Sequence, residues 1–313
     1  MSTPAPKVSR WRRFLAVVLS ISPGSGHVLL GRWWRGGAWM GAVLLMQASL
    51  PLTGFPGFVL MLGMFVGSAV DAARLPPREE GVPKVGWVLL GLVCWWFVIG
   101  NVGRATRWVL AEPFSMSSSV MSPTLQVGDQ FYTDKTVGDP LRWRALERGE
   151  VIVFKAPPQP GQNFVMRAVA LAGESVMIRG GQLHLGGKPV VRTPLGGCEG
   201  LGLERTGSAC RRYEETLGGH GYEVLLEESP GAWSFDFPSA NGACPRGMET
   251  RGDGCVVPEG HVFVLGDNRE NSFDSRSWGP LPVGEVVSAV RFIHFSWTPE
   301  SGVRWERLGT RVR

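Results

Sequence analysis

Apolar residues are unevenly spread along the chain. The long apolar runs fall before residue 104, at residues 38–52, 58–70 and 85–102. The third run carries no charge and approaches the roughly 20 residues that a membrane-spanning helix needs. The first two are shorter and rich in Gly, and Pro51 and Pro56 lie between them, which predicts a helical hairpin. An earlier run, residues 14–30, is interrupted by Pro23-Gly24-Ser25-Gly26-His27. That break predicts a re-entrant or interfacial element in place of a full crossing. No small-residue cleavage site follows it and further apolar segments do, so it does not read as a cleavable leader.

Beyond Ala105 the texture changes to short β-type runs between Gly and Pro turns, at residues 151–154, 164–171, 175–178, 182–185, 222–226, 261–265 and 286–295. Arg179-Gly180-Gly181-Gln182 and Leu185-Gly186-Gly187-Lys188 read as hairpin turns. The expected organisation is therefore a membrane region over residues 1–104, with about three spans plus the re-entrant segment, and a β-rich domain over residues 105–313. Residues 196–219 and 229–254 lack a strand pattern and read as long loops or an insertion. No internal repeat is present.

Basic residues orient this arrangement. Lys7, Arg10, Arg12 and Arg13 precede the first apolar run, Arg32 and Arg35 precede the hairpin, and Arg74, Arg78 and Lys84 precede the last span. If residues 14–30 dip in and return, an even number of crossings separates the three clusters. All then lie in the cytoplasm, as the positive-inside rule prefers, and the last span exports everything after Gly103. The cysteines fit this topology. Cys94 lies in the last span, whereas Cys198, Cys210, Cys244 and Cys255 lie in the exported part. Four cysteines in an oxidising compartment allow three pairings, of which Cys198–Cys210 with Cys244–Cys255 closes the shortest loops. No C-x-x-C or neighbouring His supplies metal-ligand spacing.

Composition adds exclusions. With 13 Trp and 15 Phe in 313 residues the chain carries too much apolar surface to stay disordered. Gly (43) and Pro (23) argue for turns and short strands over a helical bundle. The net charge of +5 is mild, with no basic run, zinc-finger spacing or RNP-type motif, so nucleic acid is not an expected partner. Membrane lipid is.

Four segments carry chemistry. The first is Glu112-Pro113-Phe114-Ser115-Met116-Ser117-Ser118-Ser119-Val120-Met121-Ser122-Pro123-Thr124-Leu125, with Val127-Gly128-Asp129 after it. The second is Arg148-Gly149-Glu150-Val151-Ile152-Val153-Phe154-Lys155, and the third Phe164-Val165-Met166-Arg167-Ala168-Val169-Ala170-Leu171-Ala172-Gly173-Glu174. The fourth is Gly266-Asp267-Asn268-Arg269-Glu270-Asn271-Ser272-Phe273-Asp274-Ser275-Arg276-Ser277-Trp278-Gly279. Tyr213-Glu214-Glu215-Thr216-Leu217 and Val257-Pro258-Glu259-Gly260 match more weakly. Together, in this order, they resemble bacterial signal peptidase I, the membrane-anchored Ser/Lys endopeptidase that removes signal peptides.

The resemblance implies an α-helical transmembrane region followed by a mostly antiparallel β domain of the signal peptidase I type. It places that domain on the outer, periplasmic face of a bacterial inner membrane, with the N-terminus cytoplasmic. It implies a groove for extended, small-residue segments of signal peptides or exported preproteins, with Phe114, Met121 and Pro123 along it, and no cofactor or metal. Ungapped matching puts Val120 at the position of the Ser nucleophile and Met166 at that of the Lys base. Valine offers no nucleophile, and methionine keeps the unbranched stem of lysine without its amine. Ser118 matches the oxyanion-hole Ser, Ser272 the Ser that orients the lysine, Asp274 and Arg276 a bracing pair, and Gly266-Asp267-Asn268 the turn beneath the site.

A catalytically impaired homologue follows as the leading reading. The enzyme alternative is an active signal peptidase with a relocated nucleophile, Ser118 or Ser119, with Ser117 and Ser122 nearby. Strand alternation would turn Ser119 away from the groove. Lys155, His184, His220, His261 and His294 are candidate bases in principle only. The remaining alternative is a non-enzymatic envelope scaffold or assembly partner.

Overall fold

The structure, a computed structural model, describes residues 10–76, 83–138, 142–156, 161–198, 210–227, 236–239 and 241–312. Lys7, Arg78 and parts of the two expected insertions lie outside the described residues. The chain divides into two compact units, Met1–Trp108 and Val109–Arg313.

The first unit is helical: α1 (Arg10–Leu19), α2 (Ser25–Leu29), α3 (Trp33–Arg74) and α4 (Val85–Val109). Pro23 and Gly24 separate α1 from α2; Gly24 holds φ 92° as the cap of α2. Ten residues of α1 rise only about 15 Å, too little to cross a bilayer. The backbone is helical throughout α3, yet Arg35 Nη1 donates to Asp71 Oδ1 at 3.0 Å and Trp39 Nε1 to Asp71 Oδ2 at 3.1 Å. A straight helix would hold residues 35 and 71 about 54 Å apart. The helix therefore doubles back on itself, and Pro51 and Pro56, which lack the N–H that the helix ladder needs, fall between its two arms. Segments Pro56–Arg74 and Val85–Ala105 are long and apolar enough to cross a membrane. On α4 the apolar side chains of Trp87, Leu90, Val93, Trp96 and Phe97 face outward.

One end of this unit gathers the polar groups. Buried His27 on α2 meets Asp71 at 2.8 Å through Nε2, and Gly24 N–H donates to Ser68 Oγ. Arg12 donates to Pro83 O, and Arg32 to Pro76 O. Three basic stretches that are distant in sequence thus meet at the same end of the helices.

The second unit is built of strands β1 (Ala111–Ser115), β2 (Asp129–Asp134), β3 (Val151–Lys155), β4 (Asn163–Leu171), β5 (Ser175–Arg179), β6 (Gln182–Leu185), β7 (Lys188–Pro189) and β8 (Arg192–Gly197). These continue with β9 (Cys210–Leu217), β10 (His220–Glu227), β11 (Glu249–Arg251), β12 (Gly254–Val256), β13 (His261–Leu265), β14 (Leu281–Pro282), β15 (Val286–Thr298) and β16 (Gly302–Val303), with helix α5 (Ser275–Trp278) after β13. The main sheet runs β1-β2-β15-β3-β4-β13-β14, with β16 on β15; a second sheet runs β11-β12-β5-β6-β7 and a third β10-β9-β8. The paired strands are antiparallel. Gly180-Gly181 and Gly186-Gly187, all at positive φ, turn the β5–β6 and β6–β7 hairpins.

Two apolar cores fill the unit. One packs Phe131, Ile152, Phe154, Met166, Val264 and Ile293; the other packs Ile178, Leu183, Val224, Phe237, Phe263 and Leu265. Strand β4 feeds both, since Met166 and Ala168 enter the first and Val169 the second.

Within the regions expected as loops or an insertion, 196–219 and 229–254, the described residues include strands: β9 lies in the first and β11 in the second. The charge-rich sequence of β9 hid its strand, which is stabilised by two neighbouring strands and by the Cys198–Cys210 disulfide at Cα–Cα 5.5 Å. A second disulfide joins Cys244 to Cys255. Cys94 is free.

Candidate active site

Residues 116–128 leave β1 as a series of turns and return into β2, with Gly128 N–H bonded to Met116 O at 3.0 Å. Val120 sits at the crest. Its carbonyl accepts from Asn268 N–H at 3.0 Å, and its side chain packs on the apolar cluster that contains fully buried Met166. Met166 lies opposite Ile152 on β3, and the β4–β13 ladder ends at Leu265 and Arg167. Gly266 follows that last pair. A Cβ there would lie 2.5 Å from Ser272 Cβ and 2.8 Å from Val120 O. Only glycine lets the Ser272 segment and the Val120 carbonyl approach so closely.

Ser272 is buried and hydrogen-bonded on both sides. Its hydroxyl donates to Asp274 Oδ2 and accepts from Arg276 Nη2 at 3.0 Å. Arg276 also grips Asp274 through Nε and Nη2, each at 2.8 Å, and Asp274 accepts from Gly266 N–H at 3.1 Å. Asp274 further caps α5 through Arg276 N–H. Charge-assisted bonds of this kind, closed on themselves, fix the turn rigidly.

Behind this turn runs a second polar network. Arg167, fully buried, holds Asp267 with two bonds of 2.8 and 2.6 Å, and Thr124 donates to the same carboxylate. The Arg167 guanidinium lies 3.9 Å from the centre of the Tyr222 ring. Tyr222 donates to Glu215 at 2.7 Å, and Glu215 is clamped by Arg192 at 2.6 Å and by Arg269. Burial alone would raise the Glu215 carboxyl, but Arg269, Arg192 and the Tyr222 hydroxyl outweigh it and hold it at about 2. Burial raises the Tyr222 phenol well above its ordinary value. These six residues tie β9 and β10 to the turn at residues 266–269 and to Thr124. Arg167 and Asp267 stand in the recognised segments, but their partnership does not, because about 100 residues separate them; the signal for Glu215 was only the weak match around Tyr213.

The other expected site residues fall as follows. Ser118 is exposed. Ser119 is half-buried; its hydroxyl accepts from Asn271 Nδ2 at 3.2 Å, and its carbonyl from Asn268 Nδ2. Because residues 118–124 are turns, strand alternation does not govern where Ser119 points, which corrects the parity argument. Met121 is fully buried in the first core, since the turn closed by Leu125 N–H on Met121 O tucks it inward, so it does not line an open groove. Pro123 is buried behind a cis bond, and Phe114 is half-buried against Phe131. His184 and His261 bond the carbonyls of Gln182 and Glu259, and His294 packs on Tyr132. The chain has five lysines, of which three fall in this unit. Lys155 ends β3 exposed, opposite Asn163; Lys188 is exposed on β7; Lys135 pairs with Glu112 at 3.2 Å. None of the three takes the place of Met166.

The description "Signal peptidase, peptidase S26" matches residues 87–295. The chain belongs to the signal peptidase family. Signal peptidase I of Pseudomonas fluorescens is 31% identical over 217 residues, spanning 61% of this chain and 67% of its own length. Signal peptidase I of Aquifex aeolicus is 30% identical over 213 residues, 61% and 78% of the two chains. Thylakoidal processing peptidase 1 of Arabidopsis thaliana is 29% identical over 213 residues, 65% and 47% of the two. A solved signal peptidase I structure from Enterococcus faecalis covers 47% of this chain and 97% of its own at 23% identity, with a TM-score of 0.27. Within this signal peptidase family member the Gly266–Arg276 turn and the Val120 crest adjoin, and the side chains at the crest and at Met166 are apolar.

Proposed function

We propose that this signal peptidase homologue is anchored in the membrane by its helical unit and no longer hydrolyses peptide bonds, while it binds extended small-residue segments of signal peptides or exported preproteins. The observation that carries the reading is the shared apolar cluster of Val120 and Met166 beside Ser272. A Ser/Lys hydrolase needs a hydroxyl to attack the carbonyl and a neutral amine, lowered by burial, to take its proton. Neither group stands there. An amine at the buried Met166 position would carry a desolvation cost with no catalytic return, and an apolar replacement removes that cost. The bracing shell of Ser272, Asp274 and Arg276 remains hydrogen-bonded throughout.

Relocation of the nucleophile gains no support, since the Ser119 hydroxyl accepts from an amide of Asn271 in place of meeting a base. Anchoring is supported by Val85–Ala105, whose outward side chains are apolar, and by the basic residues gathered at one end of the helices, which the positive-inside rule assigns to the cytoplasm.

The test pairs binding with restoration. A signal peptide carrying a photoreactive group next to its Ala-x-Ala stretch should crosslink to residues flanking Val120; a lack of crosslinks leaves a scaffold role. The double variant Val120→Ser with Met166→Lys should cleave a preprotein slowly, with a rate that rises as the buried amine loses its proton, whereas each single variant stays inactive. Activity in either single variant would contradict the reading.

A further inference from the structure

On the side of β4 that carries Arg167, a cleft of about 570 Å³ opens between the β9–β10 hairpin and the C-terminal segment. Its walls include Gly219, Gly221, Arg212, Arg307 and Arg311, together with His220 and Glu223, and the Glu214 carboxylate lies against Gly221. This volume is in the range of small-ligand sites, roughly 300–1,000 Å³. Pro123 and Thr124, from the same run of turns as Val120, also line the cleft, whereas Val120 and Met166 belong to the first apolar cluster and not to its walls.

The charges do not cancel. Glu223 meets Arg212 only at 3.7 Å, with both side chains partly in solvent. Arg307 shares the buried Asp129 with Arg304, two guanidinium groups on one carboxylate. Arg311 forms no ion pair among the described residues; only its backbone is engaged, opposite Phe292. The floor is rigid, because Arg307 also donates to Thr124 O at 3.0 Å and Val312 N–H to Arg291 O. Gly219, at φ 81°, has nothing within 4 Å of where a Cβ would stand, so the backbone at this rim is open to a ligand. Planar guanidinium groups on a fixed frame, in net excess over acid, suit the tetrahedral oxygens of a phosphate.

The geometry points to a phosphate-binding site in this cleft, for a phosphate monoester or diester held by Arg212, Arg307 and Arg311. The phosphate could be free or carried by a lipid headgroup, and the experiment separates these. The full chain in neutral detergent is titrated calorimetrically with inorganic phosphate and with dihexanoyl phosphatidylglycerol. At least one binds, and Arg311→Gln and Arg212→Gln each weaken binding about tenfold. Arg311 is exposed and Arg212 half-buried, and an unchanged melting temperature checks that each variant folds. Phosphate binding that the variants weaken, with no lipid binding, assigns the free ion; lipid binding that the variants weaken assigns the headgroup. No heat with either ligand, or binding of either that both variants leave unchanged, overturns the site.

Discussion

Glu215 offers a quantitative test of how the site's support is built. It is fully buried between Arg192 and Arg269 and accepts from Tyr222. Its carboxyl falls from an ordinary 4.5 to about 2. The difference corresponds to about 3 kcal/mol of stability at neutral pH. Because the folded value is depressed, that contribution is complete above about pH 4.5 and is lost as pH falls toward 2. Glu215→Gln goes further, since it leaves Arg192 and Arg269 facing a neutral amide in a buried place, and should destabilise the β unit by about 3–5 kcal/mol at pH 7. Urea unfolding of the full chain in neutral detergent, read by near-ultraviolet circular dichroism, measures the gap. By pH 3 the wild-type carboxylate should have lost about half of its contribution, so the gap should narrow. A Glu215→Gln protein that unfolds with wild type at pH 7, or a gap that ignores pH, would refute the assigned network.

Two further outcomes follow from the geometry. Gly266→Ala should cost about 1–3 kcal/mol, because its methyl group meets the Val120 carbonyl and Ser272 at under 3 Å, and hydrogen exchange should speed up at residues 266–272 with it; unchanged protection there would contradict the close approach. Removing the Cys198–Cys210 disulfide, which joins cysteines 12 positions apart, as the double Ser variant should lower stability by about 2–4 kcal/mol, with exchange rising first in β9; protection equal to wild type would mean the hairpin does not depend on it.

Strands with β-branched alternation and the two Gly-Gly turns were legible in the sequence, since local pattern and local structure coincide there. So was the doubling-back of the helical unit, because two prolines interrupt an apolar run. β9 was not legible. Its sequence, Cys-Arg-Arg-Tyr-Glu-Glu-Thr-Leu, reads as a solvated loop until Arg192, Arg269 and Tyr222 arrive from other elements to satisfy Glu215. The same holds at the site. The motif placed Val120, Ser272, Asp274 and Arg276 near one another in role, whereas the Arg167–Asp267 pair and the burial of Met121 depend on contacts that no local spacing encodes. Strand alternation fails at Ser119 for a local reason: residues 118–124 form bends and turns.

On this reading the crest at Val120 holds no attacking hydroxyl, and Met166 can accept no proton. The most direct measurement incubates the purified full-length protein with a radiolabelled preprotein ending its leader in Ala-x-Ala, beside an active signal peptidase I as control. The control should release the mature chain while this protein leaves the precursor intact through the longest time point. Mature product in this protein's own lane, lost on Ser118→Ala or Ser119→Ala, would contradict it.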